Sequence, residues 1–263
     1  MPTNGQMPIR ERHVPQLPHL PRPLFARNES LTSAAGTRRH SHPWVQLSYA
    51  IRGVLHVHTA AGSFVAPPQR AVWIPADLEH EVFSSPHTEM RSLYLSCEST
   101  GSGPQECRVI EIDALTRELI RRFCELPVEY DEQGPDGRLA QVLLDQLAVA
   151  RGVGLSLPLP SDTRLRRLCR QLQETPDDQR TLVQWSLDLG ASEKTLRRLF
   201  LKETGLTFRA WRQRLRLLGS LEALEQGRRV TEVALACGYD STSAFIAAFR
   251  QHFGVTPGDF FQP

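Results

Sequence analysis

A chain of 263 residues, 40% hydrophobic and 23% charged, has ample material for one large or two ordinary folded domains. Five cysteines, odd in number and without a C-x-x-C pair, argue against a disulfide framework and against a thiolate zinc site, and a net charge of only +2 argues against a non-specific coat for nucleic acid. The N-terminus carries prolines and charges where a secretory signal needs an apolar run, and no stretch reaches the ~18 apolar residues of a membrane span, so a soluble, cytoplasmic protein with no membrane partner is expected.

In chain order, residues 1–39 are rich in proline (Pro15, Pro18, Pro21, Pro23) and poor in periodicity, which reads as an extended arm, partly ordered at best. Residues 40–98 change to short alternating runs broken by Gly and Pro, such as Val45–Tyr49, Val54–Val57 and Arg91–Leu95, the pattern of a small antiparallel barrel or sandwich. Within it, Gly36, His40-Ser41-His42, Gln46 and Gly53 have the order and spacing of the first cupin motif, with Gln46 where that family usually has Glu. Pro75–His80 resembles the second motif, with Asp77 in place of its glycine. The resemblance implies a jelly-roll barrel and a metal-ligand set of His40, His42, Gln46 and His80.

Parity points the same way, because a strand puts residues i, i+2 and i+6 on one face and so aims His40, His42 and Gln46 together, with Trp44 and Ser48 beside them. Three imidazoles and an amide oxygen suit a divalent transition ion such as Zn, Ni, Cu or Fe. An alternative is a partly polar lumen that takes an organic molecule. His56 and His58 form another i, i+2 pair, either rival ligands or an exposed strand face.

Cys97–Glu106 reads as a linker, and two helices follow within residues 106–152. One carries Leu115, Leu119, Ile120 and Phe123 on a stripe, the other Leu139, Val142, Leu143 and Leu147. After Gly152–Pro160, Ser161 or Asp162 is placed to cap the first helix of a C-terminal half, residues 161–263. Charge supports the cut. From Arg164 onward 16 Arg plus Lys face 11 Asp plus Glu, whereas before it 15 face 18, so the positive excess lies in the C-terminal half.

That half says almost the same thing twice. Leu182, Trp185, Leu187, Leu189, Gly190, Ser192, Leu196, Leu199, Phe200, Gly205 and Thr207 recur as Val230, Val233, Leu235, Cys237, Gly238, Ser241, Phe245, Ala248, Phe249, Gly254 and Thr256, with one residue gained in the turn. Each copy is a short apolar-periodic helix, a glycine stop, a capping Ser and a second helix, which makes two helix-turn-helix units. Thr207–Gln226 between them reads as one helix of roughly 20 residues and about 30 Å, near the ~34 Å repeat of B-DNA. Its core stripe is Phe208, Trp211, Leu215 and Leu218, with Arg209, Arg212 and Arg216 off it. Phe245, Phe249 and Phe253 at i, i+4, i+8 read as core rather than as a stacking platform.

The doubled unit, with the run Val233–Ser241 followed by Phe245, Phe249-Arg250, Phe253-Gly254 and Thr256-Pro257, resembles the DNA-binding domain of the AraC/XylS family of transcription regulators over roughly the last 100 residues. The resemblance implies an α+β multidomain chain: an N-terminal cupin-like β-barrel or jelly roll, a helical segment that in the family commonly pairs two subunits, and an all-α domain with two helix-turn-helix units. The other reading of the middle helices is that they cover the barrel. Family positions that read bases match Lys194, Arg197 and Arg198. In the second unit Ser241, Thr242, Ser243 and Arg250 are the expected DNA contacts, mostly to phosphate, with Ile246 or Ala247 against thymine methyls.

The implied partners are double-stranded DNA, RNA polymerase, a second copy of the chain and a small-molecule or metal effector, with no catalytic residue and no certain cofactor. The rival reading is a metal-dependent dioxygenase or isomerase with a DNA-binding tail, disfavoured by the neutral Gln46 in the carboxylate position. A non-specific architectural DNA binder is disfavoured by low Lys content.

Overall fold

A computed structural model describes residues 9–14, 17–101 and 103–261. Pro15 of the expected arm and Ser102 of the expected linker lie outside the described residues. The chain divides into two compact units, the first made of residues up to 59 with 64–155, the second of 60–63 with 156 onward.

The first unit contains β1 (Arg10–Glu11), β2 (Leu24–Leu31), β3 (Ala35–Gly36), β4 (Val45–Arg52), β5 (Leu55–Thr59), β6 (Gly62–Ala66), β7 (Arg70–Ile74), β8 (His80–Ser84) and β9 (Thr88–Leu95). After these come α1 (Cys97–Thr100), β10 (Arg108–Glu111), α2 (Ala114–Phe123), α3 (Pro135–Val149) and β11 (Gly152–Val153). One sheet runs β1-β3-β8-β5-β6 and the other β11-β10-β7-β4-β9-β2. The β domain read from alternation is therefore present, as two sheets rather than a closed cylinder.

Alternation along β4 sorts its two faces. Val45, Leu47 and Tyr49 join Leu24, Leu93, Leu95 and Ile110 in a core with Ile120, Phe123, Leu143 and Leu147 of the two helices. Gln46 and Ser48, one residue out of phase, are buried on the opposite face. This packing sets both middle helices against the sheet. It also leaves two stripe residues outside, Leu115 and Val142 being 55% and 44% exposed.

Residues 1–39 do not form only an arm. All eight residues of β2 pair antiparallel with β9, Leu24 opposite Leu95 through Leu31 opposite Thr88. The prolines stop at Pro23, immediately before the strand, because a proline inside it would remove a ladder donor. The expected linker likewise holds the short α1, capped by the Ser96 side chain accepting from the Ser99 amide.

The second unit contains β12 (Ser156–Pro158), α4 (Thr163–Glu174), α5 (Leu182–Leu189), α6 (Glu193–Thr204), α7 (Phe208–Glu225), α8 (Val230–Ala236) and α9 (Thr242–Phe253). Asp162 caps α4, its carboxylate accepting from the Arg164 and Leu165 amides. The core joins Leu165, Leu168, Trp185, Leu196, Phe200, Trp211, Leu221, Phe245 and Phe249, all essentially solvent-free. Trp211 donates its indole N–H to the Pro158 carbonyl at 2.7 Å, which satisfies the one polar atom of a fully buried ring. Phe245 and Phe249 are core as expected, while Phe253 is half-buried and packs on Phe249 and Phe260.

Candidate nucleic-acid interface and histidine cluster

The first helix pair is built by local chemistry. Thr181 closes a capping box on α5, its hydroxyl accepting from the Gln184 amide while Gln184 Oε1 accepts from the Thr181 amide. Gly190, at φ 60°, turns the chain in the left-handed region, and Ser192 caps α6 by accepting from the Thr195 amide. Leu196 and Phe200 face inward, so the opposite face of α6 is free, and Lys194, Arg197 and Arg198 are all exposed on it. Arg197 is paired with Glu193 one turn back, and no ion pair is recorded for Lys194 or Arg198 among the described residues.

The second pair repeats the plan with a different surface. Ser241 accepts from the Ala244 amide, so its hydroxyl is the cap of α9. Ser243, Ala247 and Arg250 are exposed, and Thr242 and Ile246 half-buried, giving a small, weakly polar face with one cation in the last turn.

Arg216 is the residue that sequence reasoning misplaced. Read as lying off the core stripe of α7, it is buried, 8% exposed. Its Nε donates to the Pro176 carbonyl at 2.8 Å, and its terminal nitrogens to Gly238 at 3.1 Å and Asp178 at 3.2 Å. The guanidinium thus ties the approach to α5 and the turn between α8 and α9 onto α7. Gly238 lies against it at φ 72°, where a Cβ would meet Asp177 Cα at 2.9 Å and the Arg216 guanidinium at 3.0 Å. A glycine stop followed by an off-stripe Arg on the connector was the available signal.

In the first unit of the chain, His40, His42 and His80 converge, each offering a ring nitrogen within 4.8 Å of the others. An isolated bridge between His40 and His80 joins the two motif segments, and the Asp77 amide donates to the His42 carbonyl at 2.8 Å. Asp77 stands at φ 60°, a left-handed conformation that explains why the resembling motif has glycine there and that Asp tolerates better than most residues.

Each ring has its Nδ1 at a backbone carbonyl: His40 at Arg38 (2.8 Å), His42 at Trp44 (2.9 Å) and His80 at Leu78 (2.8 Å). A carbonyl accepts only, so Nδ1 carries the proton, which leaves the Nε2 of His40 and of His80 with its lone pair. Among the described residues the Nε2 of His80 is buried without a partner, whereas that of His42 is hydrogen-bonded to the Gln46 side chain at 2.9 Å, whose amide nitrogen in turn donates to Ser48. Carbonyls that accept from the far ring nitrogen are what orient imidazole ligands in metal sites. The four residues named from the motif are therefore together. His56 and His58 are half-buried and outside the cluster, His58 edge-on to Phe83.

A cavity of about 470 Å³ opens on the cluster, lined by His40, His42 and Trp44 and, from the N-terminal segment, by Arg12, His13 and Leu17. The arm's contribution to this lining carried no motif and was not foreseen.

Burial, reinforced by the charges of neighbouring histidines, pushes His80 down to about 4, and burial with the His56 and Arg39 charges does the same for His58. In the unfolded chain both titrate near 6.5, so between these values the unfolded state holds more protons than the folded one. The metal-free first unit is expected to lose stability as pH falls from about 6.5 toward 4. Urea midpoints that stay level across that window would contradict the burial assigned to these rings.

Comparison with known proteins gives two family matches: an AraC-like ligand binding domain over residues 32–148 and a helix-turn-helix domain over residues 185–262. The HTH-type transcriptional regulator NimR of Escherichia coli K12 is 35% identical over 237 residues, covering 90% of this chain and 85% of its own length. The HTH-type transcriptional regulator RipA of Corynebacterium glutamicum is 36% identical over 103 residues, covering 39% of this chain and 31% of its own. Among solved structures, ToxT of Vibrio cholerae aligns over 91% of this chain and 97% of its own at a TM-score of 0.39 and 9% identity.

Proposed function

The chain belongs to the AraC family of transcription regulators, a ligand-binding domain followed by a helix-turn-helix DNA-binding domain, and from that premise we propose that α6 carries most of its sequence readout. The carrying observation is the exposed face of α6, where Lys194, Arg197 and Arg198 stand clear of a fully buried core side. Arg pairs bidentately with guanine, whereas Lys more often serves phosphate. On α9, Ser243, Thr242 and Arg250 with the Ser241-capped helix start suit backbone contacts, and Ile246 or Ala247 suits thymine methyls. Selection of duplexes from a random library by the full chain, followed by a base-substitution scan, tests the assignment. A scan as steep under α9 as under α6 would overturn it.

For the effector we propose that the cavity lined by His40 and His42, with His80 buried behind them, is the sensing site, and that a divalent transition ion is one ligand it takes. The residues fit such an ion: three oriented imidazoles, one of them an orphaned buried Nε2, with Gln46 Oε1 as a neutral fourth donor. A bound ion would act as a structural cross-link between the two motif segments and as a charge at the cavity floor. Three imidazoles and an amide give it no carboxylate, which disfavours the enzymatic reading, and the domain is read as a sensor.

Protein purified without a polyhistidine tag is expected to bind Zn, Ni or Fe(II) by calorimetry, with His80→Ala abolishing the binding and His58→Ala leaving it intact. An empty protein with no thermal shift on adding any of the three would end the metal reading and leave the cavity to an organic ligand.

A homodimer is proposed with Leu115 and Val142 as the apolar residues it would cover, and contact with RNA polymerase from the bound state. No described helix is long and apolar enough to cross a membrane, and the site of action proposed is the cytoplasm, where the DNA is. Regulation then follows from a population shift whose size is the effector's preference for one state over the other.

A further inference from the structure

The connector α7 presents a second polar feature that neither helix-turn-helix unit explains. Arg209, Arg212, Gln213 and Arg216 fall at i, i+3, i+4 and i+7, one stripe of the helix. Together with Tyr239 and the flank of α9 they line an open cleft of about 300 Å³. Three guanidiniums meet there and no carboxylate lines the wall.

Arg216 spends its donors on three carbonyls and is structural. The other two are differently placed. Arg212 gives one terminal nitrogen to the Arg180 carbonyl at 2.8 Å and lies over the Phe208 ring, half-buried. Burial, then the Arg216 charge, makes its charged form harder to hold; the Asp178 carboxylate offsets part of this, and Arg209 adds a smaller repulsion. Arg209 is exposed, with no ion pair recorded among the described residues. The Tyr239 hydroxyl is buried and has no hydrogen-bond partner among the described residues. Crowded like charges beside an unpaired hydroxyl are an arrangement that an anion relieves.

The cleft sits on α7, the helix between the two helix-turn-helix units, and α9 forms its flank through Ala244 and Ala248, which puts it beside one of the two helices proposed to read the duplex. We propose that this cleft is a phosphate site that grips the DNA backbone between the two reading helices, with Arg209 and Arg212 as the charged donors and Gln213 and the Tyr239 hydroxyl completing the shell. The assignment rests on the DNA-reading proposal above for its source of phosphate, and on the cleft alone for its chemistry.

The test uses the full chain, the duplex it recovers from a random library and a second duplex of random sequence, with affinity followed by anisotropy from about 50 to 200 mM salt. Each phosphate contact contributes about 0.9 to the slope of log K against log salt, so Arg209→Ala should lower the slope by about one and the double variant with Arg212→Ala by about two. The loss should be uniform across base-substituted duplexes. Arg209 is exposed, so its single variant reports even if Arg212→Ala loosens the fold, which thermal melting would reveal.

In parallel, inorganic phosphate is added at matched ionic strength. A lowered slope supports the DNA backbone as the source. A thermal shift by phosphate that the double variant loses, with slopes unchanged, would overturn the DNA source in favour of a free anion. Unchanged slopes with no shift would overturn the site. A chain that recovers no specific duplex, yet shows the lowered slopes on random sequence, keeps the phosphate site and sinks the sequence readout instead.

Discussion

Replacing Arg216 by Met is expected to cost the DNA-binding unit about 3–5 kcal/mol, a large share of the ~5–15 kcal/mol that holds an ordinary domain together. Hydrogen bonds to a charged group are each worth about 1.5–3 kcal/mol but do not add, and the thioether leaves three carbonyls, those of Pro176, Asp178 and Gly238, without their donor. Packing survives because the Met stem follows the Arg stem, so the loss is one of satisfaction rather than of volume. Arg216→Lys should recover only part, since one ammonium on a flexible stem cannot reach three carbonyls in a fixed fork. Urea midpoints of the three proteins measure this directly. A Met variant within about 1 kcal/mol of wild type would mean that water or the loop backbone replaces the guanidinium. DNA affinity should fall with stability, because the same three bonds hold both helix pairs to one rod.

The second large effect belongs to Arg198. Its side chain is exposed on α6 with no recorded ion pair among the described residues, unlike Arg197, which has to leave Glu193 before it can bind anything else. Arg198→Ala is expected to weaken binding by about 1–3 kcal/mol, roughly five- to 150-fold, at the preferred base pair and to relax discrimination there. Arg197→Ala should cost less, because the wild-type chain gives up an ion pair to make the contact, although an exposed i, i+4 pair is worth only about 0.3–0.5 kcal/mol. Affinities for duplexes substituted one base pair at a time provide the measurement. A uniform loss over all of them would make Arg198 a phosphate contact instead.

Much of this was readable in the residues because it depends on short-range rules. The glycine stops and the capping Ser192 and Ser241 announce both turns, and Val45, Leu47 and Tyr49 alternate with Gln46 and Ser48 as a strand with two different faces must. The histidine cluster was legible for the same reason, its members sharing parity or a motif. What escaped depends on distant neighbours. β2 is a strand because β9, some sixty residues on, pairs with it, and nothing in the proline-rich segment says so. Leu187 and Leu235 repeat at matching places in the two units, as core residues would, yet are 81% and 65% exposed. Helices of eight and seven residues make only two turns, too few for a period to fix which apolar residue faces in. Arg216 escaped because charge is read as solvent-facing by default, and only the loops that fold over it make burial tolerable.

The two turns differ: three residues, 190–192, separate α5 from α6, while five, 237–241, separate α8 from α9. With unlike hinges and unlike outward faces, the halves cannot be exchanged by turning the molecule end for end on a duplex. A single chain therefore has a head and a tail, so the site a monomer selects should lack two-fold symmetry, and a bound monomer would point along the DNA in one direction relative to any gene beside it.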